Sequence, residues 1–373
     1  MYLAVRELRF ARARFALVGA VVALIAVLMV MLSGFSEGLV RDGVSGLKRM
    51  PVTSFAFAAG VQESSAFSRS VVDTGAVSVW QRQPGVRHAT PFGNTLVNAK
   101  SGTGVAVDLA LFGVEPHSFL APAVAHGERL GTADGIVVGE TALRAGLRLG
   151  DTVTVDTLGT RLRVVGVMAG QHTFGHVEVA YVPLPLWQRI HAGVRQGERA
   201  PAHVRREITA VAVRSAGGTS LAAGDRAAGT KSLTLEASFD ASPGYTAETT
   251  TLTLIEVFLY AISALVVGAF FTVWTIQRRQ ELAVLRAIGA PTRYLLRDGL
   301  AQAAVVLALG TAAGVGAGVG LGGLMGSAVP FEMTTTAVGL AAVLLVVLGV
   351  AGAAAAIVRI AAVDPITALG GNQ

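Results

Sequence analysis

Thr253, Glu256, Tyr260 and Ser263 recur at steps of three or four inside an otherwise oily run. That spacing lines them along one face of a helix. An ionisable group in such a setting is costly and marks a ligand or ion path by default; Glu256 also lies within about a turn of the end of the run, where it can simply face water. Met29 and Met31 sit in another apolar run. On a helix they point about 200° apart, so at most one faces a given seam, and thioethers pack cores readily. Directly after the run that carries the polar stripe comes RRQELAVLRAIGA, residues 278–290. Leu282, Leu285 and Ile288 repeat there at three-residue steps, Arg278, Arg279, Glu281 and Arg286 surround them, and Gly289 and Pro291 stop the helix. Arginines alone would anchor headgroups. An apolar stripe bounded by charge and turned straight into another oily run is shaped to dock in a groove on a partner.

Other chemistries lack support. His172 and His176 stand four apart in QHTFGH, a spacing that two metal-bound imidazoles can use, but a Gly intervenes, no HExxH glutamate accompanies them, and solvated loop histidines are expected. GDRAAGTKS, 224–232, nearly spells a phosphate-binding loop, yet Thr230 stands where the Lys belongs and Lys231 comes one position late. No Ser-His-Asp order or carboxylate pair has a catalytic context. With no Cys in the chain, disulfides, thiol catalysis and Cys-based metal sites are excluded. No catalytic site is expected here.

The elements that position these residues are set by hydropathy. The 373 residues are 52% hydrophobic and 14% charged, whereas soluble domains carry about 25% charge. Phe15–Gly34, Leu254–Ile276, Leu300–Met325 and Ala337–Val358 contain no Lys or Arg and are long enough for about 30 Å of hydrocarbon, so all four are expected to span a membrane. Arg6, Arg9, Arg12 and Arg14 precede the first run like the head of a secretory signal, but the run exceeds the 7–15 residues of a signal and no A-x-A site follows; it is expected to be retained.

Basic residues collect in the N-terminal amphipathic segment 1–14 and in the 277–299 turn, while GSAVPFEMTTT, 326–336, holds none. By the positive-inside rule both termini, including the 359–373 tail, belong in the cytoplasm, and segment 35–253 belongs outside. The net charge of +6 is accounted for by this topology and by anionic headgroups, with no call for a nucleic-acid partner.

Segment 35–253 is too long for a connection. Strand-like stretches at Thr53–Ala58, Val105–Phe112, Gly135–Val138, Thr152–Val155, Arg161–Val167, Val177–Pro183 and Ile208–Val213 mix with helical pieces such as Thr74–Gln83, which predicts an inserted α+β domain. Gly193–Arg206 and Arg214–Ala228, rich in Gly, Ala and Arg, are expected to be an insertion or its least ordered part. In the third run, 300–325, Gly310, Gly314, Gly318 and Gly322 repeat every four residues, with Gly326 next in the series. Overlapping GxxxG units of this kind let another helix backbone approach closely.

RRQELAVLRAIGAPTRYLL resembles the signature of FtsX-like and MacB-like permeases of ATP-binding cassette transporters. GLRLGDTVTV (146–155), LRVVGV (162–167) and PGV (84–86) look like that family's extracytoplasmic domain, and DPITAL (364–369) is similar to its tail. The stretch 242–290 is closer still to the subgroup of HrtB-type hemin exporters and DevC-type permeases. Gln277-Arg278 and Leu282-Ala283 stand where that subgroup has Gln-Lys and Phe-Gly, keeping charge and bulk.

The resemblance implies a homodimer of four-span permeases with two cytoplasmic ATPase subunits, ATP and Mg being held by the ATPase and no cofactor by this chain. ATP-driven closure is expected to pass through Arg278, Arg279, Glu281, Leu282, Leu285, Arg286, Ile288 and Gly289. The expected cargo is a hydrophobic or amphipathic molecule, heme being the most specific expectation from the subgroup. It would be held by Met29, Met31, Glu256, Tyr260 and Ser263 where the first two spans meet, with Met29 and Glu256 as iron ligands. Two alternatives stay open: a lipid, lipoprotein or antibiotic extruder, and a non-transporting transmitter that controls a cell-wall hydrolase.

Overall fold

The computed structural model describes residues 12–131, 134–277, 280, 284, 288, 289, 291–325 and 331–361. Two compact units share the chain, Leu39–Thr249 in one and Met1–Gly38 with Thr250–Gln373 in the other. Both boundaries fall inside long helices.

Among the described residues, four helices are long and apolar enough to cross a membrane: α1 (Arg12–Lys48), α2 (Tyr245–Gln277), α3 (Thr292–Leu324) and α4 (Thr335–Ala361). At 1.5 Å per residue the 37 residues of α1 reach about 55 Å, well beyond the apolar run that begins it. Helix α3 starts directly after Pro291, which sits in extended backbone at its N-cap, where a missing N–H costs nothing. Phe15, Val22, Ile25, Met29, Val267, Phe271, Leu307 and Leu345 belong to one buried cluster drawn from all four helices.

Small residues set how closely these helices approach. A methyl group at Gly310 would come within 2.9 Å of the Gly19 carbonyl, and one at Gly318 within 2.9 Å of the Val30 Cβ; Gly314 faces Ala23 and Ala26 in the same way. Three of the repeated glycines therefore seat α3 on α1. Gly322 instead faces Phe331 and Met333, and Gly326 lies outside the described residues. A second close approach joins α2 to α4, where a methyl at Gly268 would stand 3.2 Å from the Gly352 carbonyl.

The other unit is the α+β domain. Its strands are β1 (Ser54–Ala58), β2 (Val86–Ser101), β3 (Ala106–Val114), β4 (Gly135–Gly139), β5 (Thr152–Val155), β6 (Arg161–Met168), β7 (Val177–Pro183), β8 (Ala210–Ser215) and β9 (Thr230–Thr234), with shorter two-residue pairings around them. Strand β2 is shared by two sub-structures. Its first half pairs with β8, which continues through β1 to β9. Its second half pairs with β3, which leads through β7, β4, β6 and β5 back to β2, closing a ring. The β3–β7 and β4–β6 pairings are parallel and the rest of the ring antiparallel.

Two apolar cores fill this domain. One is aromatic: Phe57 and Phe67 meet edge to face at 5.0 Å, Phe92 and Phe112 at 5.1 Å, and Phe67 and Phe174 at 5.3 Å. Val44 and Leu47, from the Lys48 end of α1, are wholly buried in it. The other core gathers Trp80, Trp187, Leu109 and Ile136. The Trp187 indole lies so close to Gly93 and Gly113 that a Cβ at either would collide with it.

Gly193–Arg206 and Arg214–Ala228, expected to be the domain's least ordered part or an insertion, hold a 3-10 turn at Ala202–Arg206, the end of β8 and a helix at Leu221–Ala228. That helix is closed by Gly229 in left-handed backbone (φ 65), and Asp225 ties it to β9 by accepting hydrogen bonds from Thr230 and Ser232. GDRAAGTKS thus runs from helix to strand, the reverse of the strand-to-helix order that a phosphate-binding loop needs.

Candidate functional site

The polar stripe of α2 changes character along its length. Thr253 is exposed, Glu256 and Tyr260 are partly buried, and Ser263 is 1% exposed. Continuing at the same helical steps, Val267, Phe271 and Thr275 are buried as well. One face of α2 therefore begins as accessible carboxylate and phenol and ends as bundle core. Ser263 marks the transition, its hydroxyl without a hydrogen-bond partner among the described residues. A buried hydroxyl left unsatisfied carries a desolvation cost that a polar ligand group would relieve.

Tyr260 packs against the same apolar cluster that buries Met29. The two methionines divide as helical geometry requires: Met29 is 3% exposed and packed in the core, whereas Met31 is partly accessible. Toward their other ends α1 and α2 are joined by Phe15, whose ring meets Phe270 at 5.9 Å and Trp274 at 4.8 Å, and by Arg14, whose Nη1 donates to Gln277 Oε1 at 2.7 Å. Buried polar residues on α3, Gln302 and Thr311, escaped sequence reasoning because each stands alone in an apolar stretch with no periodic companion.

Arg278, Arg279, Glu281, Leu282, Leu285 and Arg286 lie outside the described residues. The end of their segment is described: the Ile288 N–H donates to the Val284 carbonyl at 3.1 Å, a helical bond. Gly289 follows in left-handed backbone (φ 102), the conformation that closes a helix and that glycine adopts without penalty. Ile288 is 79% exposed, an apolar side chain outside the chain's own core.

In the α+β domain the two histidines separate. His172 is buried, and that burial, helped by the nearby Arg49 guanidinium, pulls its pKa down to about 4 against a backbone hydrogen bond at Ala169. His176 is hydrogen-bonded by carboxylates. Among the described residues no group of three or more His, Cys, Asp or Glu is arranged to hold a metal ion. An open cleft of about 1210 Å³ lies on the same domain between the Gly75–Gln81 and Leu184–His191 helices, with Glu115, Arg199 and Arg205 among its lining residues.

Comparison with known proteins identifies the architecture. Residues 15–230 match the family model of the MacB-like periplasmic core domain, more than half of the chain, and residues 253–365 match that of the FtsX-like permease C-terminal region. A Staphylococcus epidermidis protein named for hemin transport, the permease HrtB, is 24% identical over 377 residues, with all of both chains covered. An uncharacterized ABC transporter permease of Mycobacterium tuberculosis is 26% identical over 376 residues, covering 100% of this chain and 99% of its own. Among solved structures, the periplasmic region of MacB from Actinobacillus actinomycetemcomitans aligns with 53% of this chain and 92% of its own at 12% identity and a TM-score of 0.36.

Proposed function

Because the chain belongs to the family of FtsX-like ATP-binding cassette transporter permeases with a MacB-like periplasmic core domain, we propose that it exports a hydrophobic or amphipathic molecule, heme, from the membrane. Permeases of this family work with a partner ATPase. The proposed assembly is two copies of this chain with two ATPase subunits in the cytoplasmic membrane, both termini inside and the α+β domain outside, as the arginine distribution favours.

The observation that carries the cargo reading is the α2 face on which Glu256 and Tyr260 lead to the unsatisfied Ser263 hydroxyl beside the cluster containing Met29. A carboxylate or phenolate on an apolar wall suits a flat, iron-bearing ring with polar edges. The hemin-transport name of full-length relatives supports the same choice. Since Met29 is buried within the bundle, its thioether reaches cargo only when the helices part, and Met31 is the more accessible of the two.

Titrating the purified full-length protein with hemin tests this reading. A Soret shift away from free hemin in detergent is expected, and Met29→Ala with Glu256→Ala should weaken binding about tenfold or more, about 1.4 kcal/mol. The pair Met31→Ala with Glu256→Ala tells which thioether contributes. A wild-type spectrum identical to that of free hemin would remove heme as cargo and turn the search to lipids and hydrophobic drugs.

A further inference from the structure

The Lys48 end of α1 and the Tyr245 end of α2 meet a single loop of the α+β domain, and the meeting is built from charge. His176 stands between two carboxylates: its Nδ1 lies 3.0 Å from Asp42 Oδ2, on α1, and its Nε2 lies 3.0 Å from Glu248 Oε2, in the first turn of α2. The loop's backbone is set for this position, with Gly175 and His176 both in left-handed conformation (φ 57 and 64). For a non-glycine residue that is uncommon and points to a position held by its surroundings.

The side toward α1 is over-determined. Gln171 Nε2 donates to the other Asp42 oxygen at 2.8 Å, the Thr173 N–H donates to Ser45 Oγ at 2.9 Å, and the Gly175 N–H donates to the Gly43 carbonyl at 2.9 Å. On the side toward α2, His176 Nε2 lies 3.2 and 3.0 Å from Glu248 Oε1 and Oε2, and that carboxylate is more open to water than that of Asp42.

We infer that Asp42, His176 and Glu248 form a proton-operated clasp that holds the Tyr245 end of α2 to the loop already fixed on α1, closed when the imidazole carries both protons. The chemistry is a count of donors. Doubly protonated imidazole has two N–H groups for two carboxylates, whereas neutral imidazole has one N–H and one lone pair. A lone pair 3.0 Å from a carboxylate oxygen repels it. Because Asp42 is braced by Gln171, the proton that remains stays toward Asp42 and the clasp releases Glu248.

Burial pulls the His176 pKa down, but the hydrogen bond it donates to Asp42, the charge of Glu248 and the hydrogen bond to it, and the charge of Asp42 together outweigh it, so the net shift is upward. The folded form therefore gains from the proton. That gain is complete below the ordinary histidine value and is lost as pH rises through the raised one. Other groups face the cluster: the Tyr245 ring lies near Gly43 beside His176. Glu178, pushed up to about 7 by burial, feels the Asp42 charge, accepts a hydrogen bond from Thr141 and is drawn partly back by Arg144. The inference does not depend on which cargo is carried.

Amide hydrogen exchange on the full-length protein in lipid nanodiscs, corrected for intrinsic rates, reads the two sides of the clasp separately. Between about pH 5 and about pH 8, the first-turn amides of α2, Tyr245–Thr249, should exchange about tenfold faster at the higher pH, while those of Thr173 and Gly175 stay level. His176→Gln should abolish that pH dependence, and Glu178→Gln should leave it in place. Glu248→Gln should loosen the first turn at every pH and lower the His176 midpoint seen by NMR of nitrogen-labelled histidine. A first turn of α2 that follows only intrinsic exchange in the wild type, or keeps the same pH profile in His176→Gln, would overturn the clasp.

Discussion

A methyl group at Gly318 would lie 2.9 Å from the Val30 Cβ, inside the distance at which two carbon atoms repel, and a leucine there has nowhere to go but between α3 and α1. Gly316 and Gly320, two residues before and after and so about 200° round the helix, have open space where a Cβ would stand. Gly318→Leu should therefore cost about 1–3 kcal/mol through overpacking, while Gly316→Leu and Gly320→Leu should be close to neutral. Thermal unfolding of the three variants in the same detergent checks this. Equal losses in all three would mean that glycine matters there for backbone freedom rather than for contact. The same reasoning applies to Gly93 and Gly113 under Trp187. The sequence shows these as glycines in an unremarkable stretch, because the indole that demands them comes from a distant helix.

At the scale of elements, what is local is legible and what depends on a distant partner is not. The four apolar runs announce their helices because nothing else accommodates twenty uncharged residues, and the α2 stripe announces itself by its period. Strand β2, VRHATPFGNTLVNAKS, does not: Pro91, Gly93 and Asn94 interrupt it midway. It is a strand because β8 pairs with one half and β3 with the other. The clasp was invisible for the same reason, Asp42 and Glu248 standing 134 and 72 residues from His176.

The role of the segment after α2 is a prediction at this scale. Its exposed Ile288 and its glycine stop fit a helix that docks elsewhere. Leu285→Asp or Arg286→Glu should leave insertion into the membrane intact while uncoupling ATP hydrolysis from export in the assembled transporter. Cargo-stimulated hydrolysis and export unchanged in both variants would remove the coupling role.

For the molecule as a whole, the division at Leu39 and Thr249 lies outside the strands, inside the two helices that lead to the apolar runs, and this sets what an autonomous domain must contain. A fragment cut at residues 50–245 keeps every strand but discards Val44 and Leu47, which are wholly buried in the aromatic core, together with Asp42 and Glu248. Burying a side chain of this kind contributes about 1.5–3 kcal/mol, so the two together account for about 3–6 kcal/mol, a large part of the 5–15 kcal/mol typical of a domain. The fragment 39–249 should therefore unfold cooperatively with dispersed amide signals, and the fragment 50–245 should melt about 10 °C lower or more, at about 2–4 °C per kcal/mol for a domain of this size. Restoring Val44 and Leu47 while substituting Asp42→Asn separates the two contributions, since the core would be refilled and the clasp left open. Equal melting temperatures for the 39–249 and 50–245 fragments would mean that the α1 end rests on the domain without supporting it.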